Sequence, residues 1–270
     1  MTLCDIQPHY FPRLHYFARM FASEHFVIRD DVQFVKNHKF SDGTRGVSHQ
    51  VHSPIKTNAG IHLLNVPIKK GGMLPIYQTQ ISYDQPWAKK QLNQLKSNYS
   101  KSPEFHSVFA EIEAILEAGY ETVAKLNNAT LFWALFRLLE GRAPESLASL
   151  SLESVNTLLQ ERRIGDFYHI TTGTSLFSEE NEISASEKIV SLCKNFEATN
   201  YLAGGTAFDS YMDREVFQDN QINIEVQSWT CRPYPQQNTQ FEAFIPNLSI
   251  IDLLMNCSAE QALDILLFRG

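Results

Sequence analysis

The sequence predicts an α/β protein with a mostly parallel sheet, flanking helices and an inserted helical block. Three observations carry this reading. The apolar run "TLCDI", the helical pattern "PRLHYFARMFAS" and the apolar run "HFVIRDDVQF" follow one another at the start of the chain, as in a strand-helix-strand unit of about 30 residues with a right-handed crossover. The same alternation returns from residue 166 onward. Between the two lies a block of helical patterns. The expected layout is Rossmann-like: residues 1–84 form an N-terminal half, 85–165 the helical block, and 166–270 a C-terminal half completing the core.

The elements can be justified in order. In the first helix Leu14, Phe17, Met20 and Phe21 recur at helical spacing, and Pro12 suits its first turn, where no N–H is needed. Phe26, Val27 and Ile28 form a continuous apolar run, as in a strand buried on both faces. Residues 35–60 are rich in Gly, Pro and polar side chains and read as a long loop. "IHLLNVPI" is the next strand and "TQISY" another. Helices are expected across "PWAKKQLNQLKSNY", "PEFHSVFAEIEAILEAG" and "ETVAKLNNATLFWALFRLLEG". "FYHITTGTS" is then a strand and its exit, "SASEKIVSLCKNF" a helix and "NYLAGG" a strand. Thr206 and Asp209 give a capping-box-like start to the helix "AFDSYMDREVF". "INIEVQSW" is the last strand, and two helices close the chain, the second begun by Ser258 and Gln261.

Composition excludes several classes. With 43% hydrophobic and 20% charged residues, the chain resembles ordinary globular proteins rather than disordered or fibrous ones. A net charge of -7 argues against a broad phosphate-tracking surface, so no nucleic-acid partner is expected. Cys4, Cys193, Cys231 and Cys257 include no CxxC pair and read as free thiols in a reducing compartment. The start of the chain lacks a signal-peptide pattern, and "TLFWALFRLLEG" is broken by Arg137 and too short to span a bilayer. A cytoplasmic protein without a membrane span is expected.

In open α/β sheets ligands bind beyond the carboxyl ends of the strands. Gln7, His9, Tyr10, Arg13 and His15 stand at the first exit; Asp30, Asp31, Gln33, Lys36 and Asn37 at the second; Gly204, Gly205, Asp209 and Tyr211 at a late one. If the first two strands are parallel neighbours, the early groups share one crevice. Asp30 and Asp31, adjacent in an extended stretch, should face opposite ways, and either serve a site or cap nearby backbone. His9 and His15 either contact a ligand or bond locally, while Arg13 is a candidate anion contact at a helix start. "YLAGG" is an anion nest or a tight turn. His49 and His52 have HxxH spacing with His38 and His62 nearby, which is weak support for a metal, and none is assigned. The Pro-punctuated "WTCRPYPQQNTQF" either covers the site or docks the last helices.

The blocks "IQPHYFPRLHYF", "VIRDDVQFVKN", "LNVPI", "KIVSLCKNFEATNYLAGG", "YMDREVFQDNQINIEV" and "FIPNLSIIDLLMN" resemble, in order, the WbqC-like family of bacterial proteins. The family's Q-P-x-Y/F-x-P pattern falls on Gln7, Pro8, Tyr10 and Pro12, its aspartate-glutamine block on Asp30 to Phe34, its Y-L-S-G on Tyr201 to Gly204, and its S-I-I-D on Ser249 to Asp252. Where the family carries a glycine before Tyr-Phe, this chain has His15. The resemblance implies a transferase associated with O-antigen or specialised metabolite synthesis, such as one adding a glycine-like acyl group to an amino sugar. The expected function is amide formation between an activated acyl donor and an amine on a nucleotide-linked sugar or similar small metabolite. His9, Asp30 and Asp31 would handle protons, and Gln7, Tyr10 and Arg13 orientation and charge. A non-catalytic module binding the same ligand or a pathway partner is the alternative. The sequence assigns no cofactor.

Overall fold

In the computed structural model the described residues are 1–39, 45–177, 184–210, 212–240 and 242–268. The elements run β1 (Thr2–Ile6), α1 (Leu14–Phe21), β2 (His25–Ile28), β3 (Asn37–Lys39), β4 (Arg45–Val47), β5 (His52–Thr57) and β6 (Gly60–Asn65). The middle of the chain holds α2 (Trp87–Tyr99), α3 (Phe105–Glu117), α4 (Val123–Glu140) and α5 (Leu152–Glu161). The last part runs β7 (His169–Thr172), α6 (Ala185–Asn195), β8 (Asn200–Ala203), α7 (Gly205–Ser210), α8 (Arg214–Asp219), β9 (Asn223–Val226), α9 (Ile250–Asn256) and α10 (Ala259–Leu267).

Five strands form one parallel sheet in the order β7-β2-β1-β8-β9. Period-two alternation divides their side chains between two faces. Cys4, Phe26, Ile28 and Leu202 pack with α1 and the helical block, whereas Leu3, Val27, Tyr201 and Ala203 pack under α6 and α8. The sheet is thus covered on both sides, as a parallel sheet requires. The fold is mixed α/β, with the long chain between β2 and β7 supplying the inserted helices.

Several expectations are corrected. Residues 35–60 are not one polar loop: β3 pairs with β4, and β5 with β6, in two separate hairpins. Their polar composition reflects satisfied buried groups. Gln50 is fully buried, donating to Gln7 Oε1 at 2.8 Å and accepting from Val35 N–H. "IHLLNVPI" therefore supplies β6 of a hairpin outside the main sheet, and "TQISY" makes only single bridges, Ile68 to Ile81 and Gln80 to Thr122. α5 was not expected; Ser151 caps it and Val155 and Leu159 anchor it. "AFDSYMDREVF" contributes to two helices, because Asp213 caps a second start by accepting from Glu215 N–H. α1 begins at Leu14 with Arg13 as its N-cap, so Pro12 precedes the helix. The Ser258–Gln261 capping box is present in α10. Cys4, Cys193 and Cys257 are buried free thiols and Cys231 is half-buried.

The turn after β1 is held from all sides. Phe11 adopts φ 39°, a region costly for a bulky residue. Its N–H meets Thr130 Oγ1, its carbonyl accepts from Ser53 and Ser249, and its ring meets Trp133 edge-on. The Asn127 amide donates to the carbonyls of Pro8 and Gln50, joining the helical block to this turn.

Candidate functional site

A cavity of about 1090 Å³ opens at the carboxyl ends of β2 and β7, near the upper end of the usual range for small-molecule sites. Asp30, Asp31 and Thr174 form its floor. Leu74, Tyr77 and Gln78 line one wall, the start of α4 another with Lys125 and Asn128, and Phe177 with Lys188 and Ser191 of α6 a third.

The two carboxyls are held differently. Asp30 accepts from the Thr174 N–H at 2.9 Å and the Thr174 hydroxyl at 3.0 Å. Burial pushes its pKa up; the Thr174 bonds oppose this and the Asp31 charge adds to it. Asp31 receives Arg29 in a fork, Nε at 2.9 Å and Nη2 at 3.0 Å. Arg29 Nη1 also donates to Asp5 at 2.8 Å, and the Tyr201 hydroxyl donates to the other Asp5 oxygen. Burial works against the Arg29 charge, but Asp5 and Asp31 together raise its pKa. Asp31 packs so closely on Gly173 that a Cβ there would meet Oδ1 at 1.7 Å, so only glycine fits.

These geometries define separate capacities. A forked guanidinium holds a carboxylate in one orientation through two charge-assisted bonds, as Arg29 holds Asp31. Asp30, whose pKa burial raises, also opens to the cavity. Asp30 and Asp31 both line the cavity at the sheet edge, Asp30 bonded to Thr174 and Asp31 to Arg29.

The remaining sequence-selected residues do not share this cavity. Gln7 bonds Gln50. His9 packs at a tilt against Tyr16 and His49, with ring centroids 4.9 and 5.3 Å away. Tyr10 is buried in the core, its hydroxyl donating to Gln91 at 2.6 Å. Arg13 and His15 lie at the start of α1, where Leu248 O and Asn247 Oδ1 already accept the helix's first N–H groups. The terminal amides therefore do not assist Arg13 as an anion contact. Gln33 and Lys36 are exposed on the way to β3, and Asn37 is exposed at its start. Gly204 is buried at the exit of β8, with Gly205 and Asp209 exposed in α7; Tyr211 lies outside the described residues. The single crevice is thus divided, because the turn after β1 folds into the helical block.

Sequence reasoning missed Arg29, Asp5 and Tyr201. Period two places Arg29 and Asp31 on one side of an extended stretch, and that signal was present in "RDD". Lys125 and Lys188 carried no local signal, since their role arises only when α4 and α6 meet the sheet. Among the described residues no group of three or more His, Cys, Asp or Glu side chains gathers as metal ligands, and no helix is long and apolar enough to cross a membrane.

Fold and site together define a mixed α/β protein with a ligand-sized polar cleft at one end of a parallel sheet. The chain belongs to the WbqC-like protein family, whose sequence profile matches residues 7–140 and 132–263. It is similar to the uncharacterized protein Rv1507c of Mycobacterium tuberculosis (strain ATCC 25618 / H37Rv), with 26% identity over 258 residues, covering 94% of this chain and 93% of that relative. No solved structure matches the chain.

Proposed function

We propose that the cleft binds an amine-bearing small metabolite, of the nucleotide-linked amino-sugar kind, and that the protein joins an activated acyl or aminoacyl group to that amine. One observation carries the reading: of the two carboxyls at the cleft floor, Asp31 is paired with Arg29, whereas Asp30 is held by Thr174 alone and has no cationic partner among the described residues. An unpaired carboxylate there attracts an ammonium group. Amide formation then needs that ammonium to lose a proton, and Asp30, its pKa raised by burial, is the matching acceptor. Lys125 and Lys188 on the walls suit an anionic part of the same ligand or donor. Family membership supports a bacterial setting, with surface-polysaccharide or specialised metabolite synthesis as the proposed context. We read the strand order, with its reversal at β1, as Rossmann-like, which is in keeping with a nucleotide-linked ligand.

Binding without catalysis is the second reading. It is favoured by the enclosure of Tyr10 and the packing of His9 against Tyr16, which leave Asp30 as the cleft's proton-handling group. Thermal shift with a UDP-linked amino sugar and its N-acetylated form separates the readings from failure. A ligand at one hundred times its Kd adds about 2.7 kcal/mol. The amine form should stabilise the wild type more than the acetylated form, and Asp30→Asn should erase the difference. Equal response to both sugars, or full discrimination in the variant, would sink the assignment. Acyl transfer to the bound amine, followed by mass spectrometry, distinguishes enzyme from module.

A further inference from the structure

Of the two aromatic rings that line the cleft, one is already in use. Phe177 carries the Arg29 guanidinium 5.3 Å from its ring centre. Tyr77 is 41% exposed and has no ring or cation contact among the described residues. Backbone bonds set its position. Tyr77 belongs to the one-turn 3₁₀ helix Ile76–Gln78, anchored by the buried Ile76. The N–H groups of Ile76 and Tyr77 donate to the carbonyls of Val32 and Asp30, at 3.0 and 3.1 Å, and the Thr79 carbonyl accepts from Val123 N–H at 2.9 Å. The segment is thus tied to the cleft floor on one side and to the start of α4 on the other. Gln78 Nε2 donates to the Tyr77 hydroxyl at 2.7 Å, which holds the outer end of the ring.

Asn128 of α4 lines the same cavity. Its neighbour Asn127 is committed to the carbonyls of Pro8 and Gln50, whereas Asn128 Oδ1 is enclosed without a hydrogen-bond partner. Buried polar atoms in native proteins nearly always find partners, so this one calls for an explanation. No protein group among those described holds the Asn128 amide in one orientation, and by turning it offers a ligand either its oxygen or its NH2. A hydroxyl, which both donates and accepts, matches either face.

We propose that Tyr77 is the platform for the pyranose ring whose amine reaches Asp30, and that Asn128 takes a hydroxyl at the edge of that ring. A fixed aromatic face beside a carboxyl, with a neutral amide in the same cavity, suits a ring with C–H groups on its faces and hydroxyls around its rim. The inference rests on reading the cleft as an amino-sugar site. Within that reading the sugar, not the base, lies on Tyr77: the Tyr77 backbone is bonded to that of Asp30, whereas in a nucleotide-linked sugar a ribose and a diphosphate separate the base from the amine.

The test is calorimetric titration of the full chain with UDP, with a UDP-linked amino sugar and with its N-acetylated form, for the wild type, Tyr77→Ala, Tyr77→Phe and Asn128→Ala. Tyr77 is exposed, so its substitutions leave the core untouched. Tyr77→Ala should weaken both sugars by about fivefold or more, the scale of an aromatic contact, with UDP unaffected, and Tyr77→Phe should keep the wild-type affinity. Asn128→Ala should weaken the sugars by about two- to tenfold, the scale of one neutral hydrogen bond. Its thermal stability should be unchanged or raised, because an unsatisfied acceptor is removed; a structural asparagine would lower it. Full sugar affinity in Tyr77→Ala or Asn128→Ala, an equal loss for UDP, a fall in the stability of Asn128→Ala, or no binding of either sugar overturns the assignment. The Asp30 reading fails separately: if the wild type binds both sugars alike while Tyr77→Ala weakens both, the amine contact falls and the platform stands.

Discussion

Asp30 carries both a cost and a use. Its carboxyl is buried at the cleft floor, so removing the charge should relieve desolvation without opening a cavity. In Asp30→Asn the side-chain oxygen can still accept from Thr174 N–H, and the Thr174 hydroxyl can turn to accept from the new amide. We expect unchanged or increased stability in urea denaturation, together with loss of preference for the amine-bearing ligand. A structural carboxylate would behave in the opposite way. Arg29 differs: it is buried against both Asp5 and Asp31, so Arg29→Met would leave two carboxylates uncompensated. A loss of about 3–5 kcal/mol is expected from breaking such a pair, measured by the same denaturation.

At the scale of elements, the turn after β1 depends on one amide of α4. Asn127 is fully buried and serves two carbonyls, of Pro8 and Gln50. Asn127→Ala strands both, and we expect a loss of about 2–6 kcal/mol at 1–3 per buried unsatisfied group, with hydrogen exchange rising first in residues 48–52. In α10, Ser258→Ala removes a cap present in the structure and should cost about 1 kcal/mol. The difference between these two sites explains what was legible. Caps, periodic apolar faces and the five strands of the main sheet are local patterns, and the sequence displayed them. The fate of residues 35–60 was hidden, because Gln50 and Ser48 look solvated until partners distant in sequence enclose them. Of the candidate site, Asp30 and Asp31 could be read from their place after an apolar strand. Tyr10 and His9 shared that place, yet the strained Phe11 turn directs the chain into the helical block.

For the whole molecule, acid response follows from imidazoles kept neutral. His15 is pushed down to about 4, by burial first and then by Arg19 and Arg13. His25 is also pushed down to about 4, by burial and then His169. The unfolded chain takes up these protons near pH 6.5 and the folded one only near 4, so stability is lost as pH falls between those values. For His25 the difference is on the order of 3 kcal/mol. Asp30 and Asp252, whose pKa values are raised by burial, act in the other direction, adding stability at low pH that is lost as pH rises. Denaturation at pH 7 and 5 should show a smaller acid loss in His25→Gln than in the wild type; equal losses would exclude His25 as a source. The sheet order carries a further consequence, for the timing of assembly. β7 pairs with β2, but the whole chain from Arg29 to Tyr168 is synthesised between them. On the ribosome β2 therefore waits with one edge unpaired while the helical block emerges, and chains arrested before His169 should be the ones that aggregate or recruit chaperones.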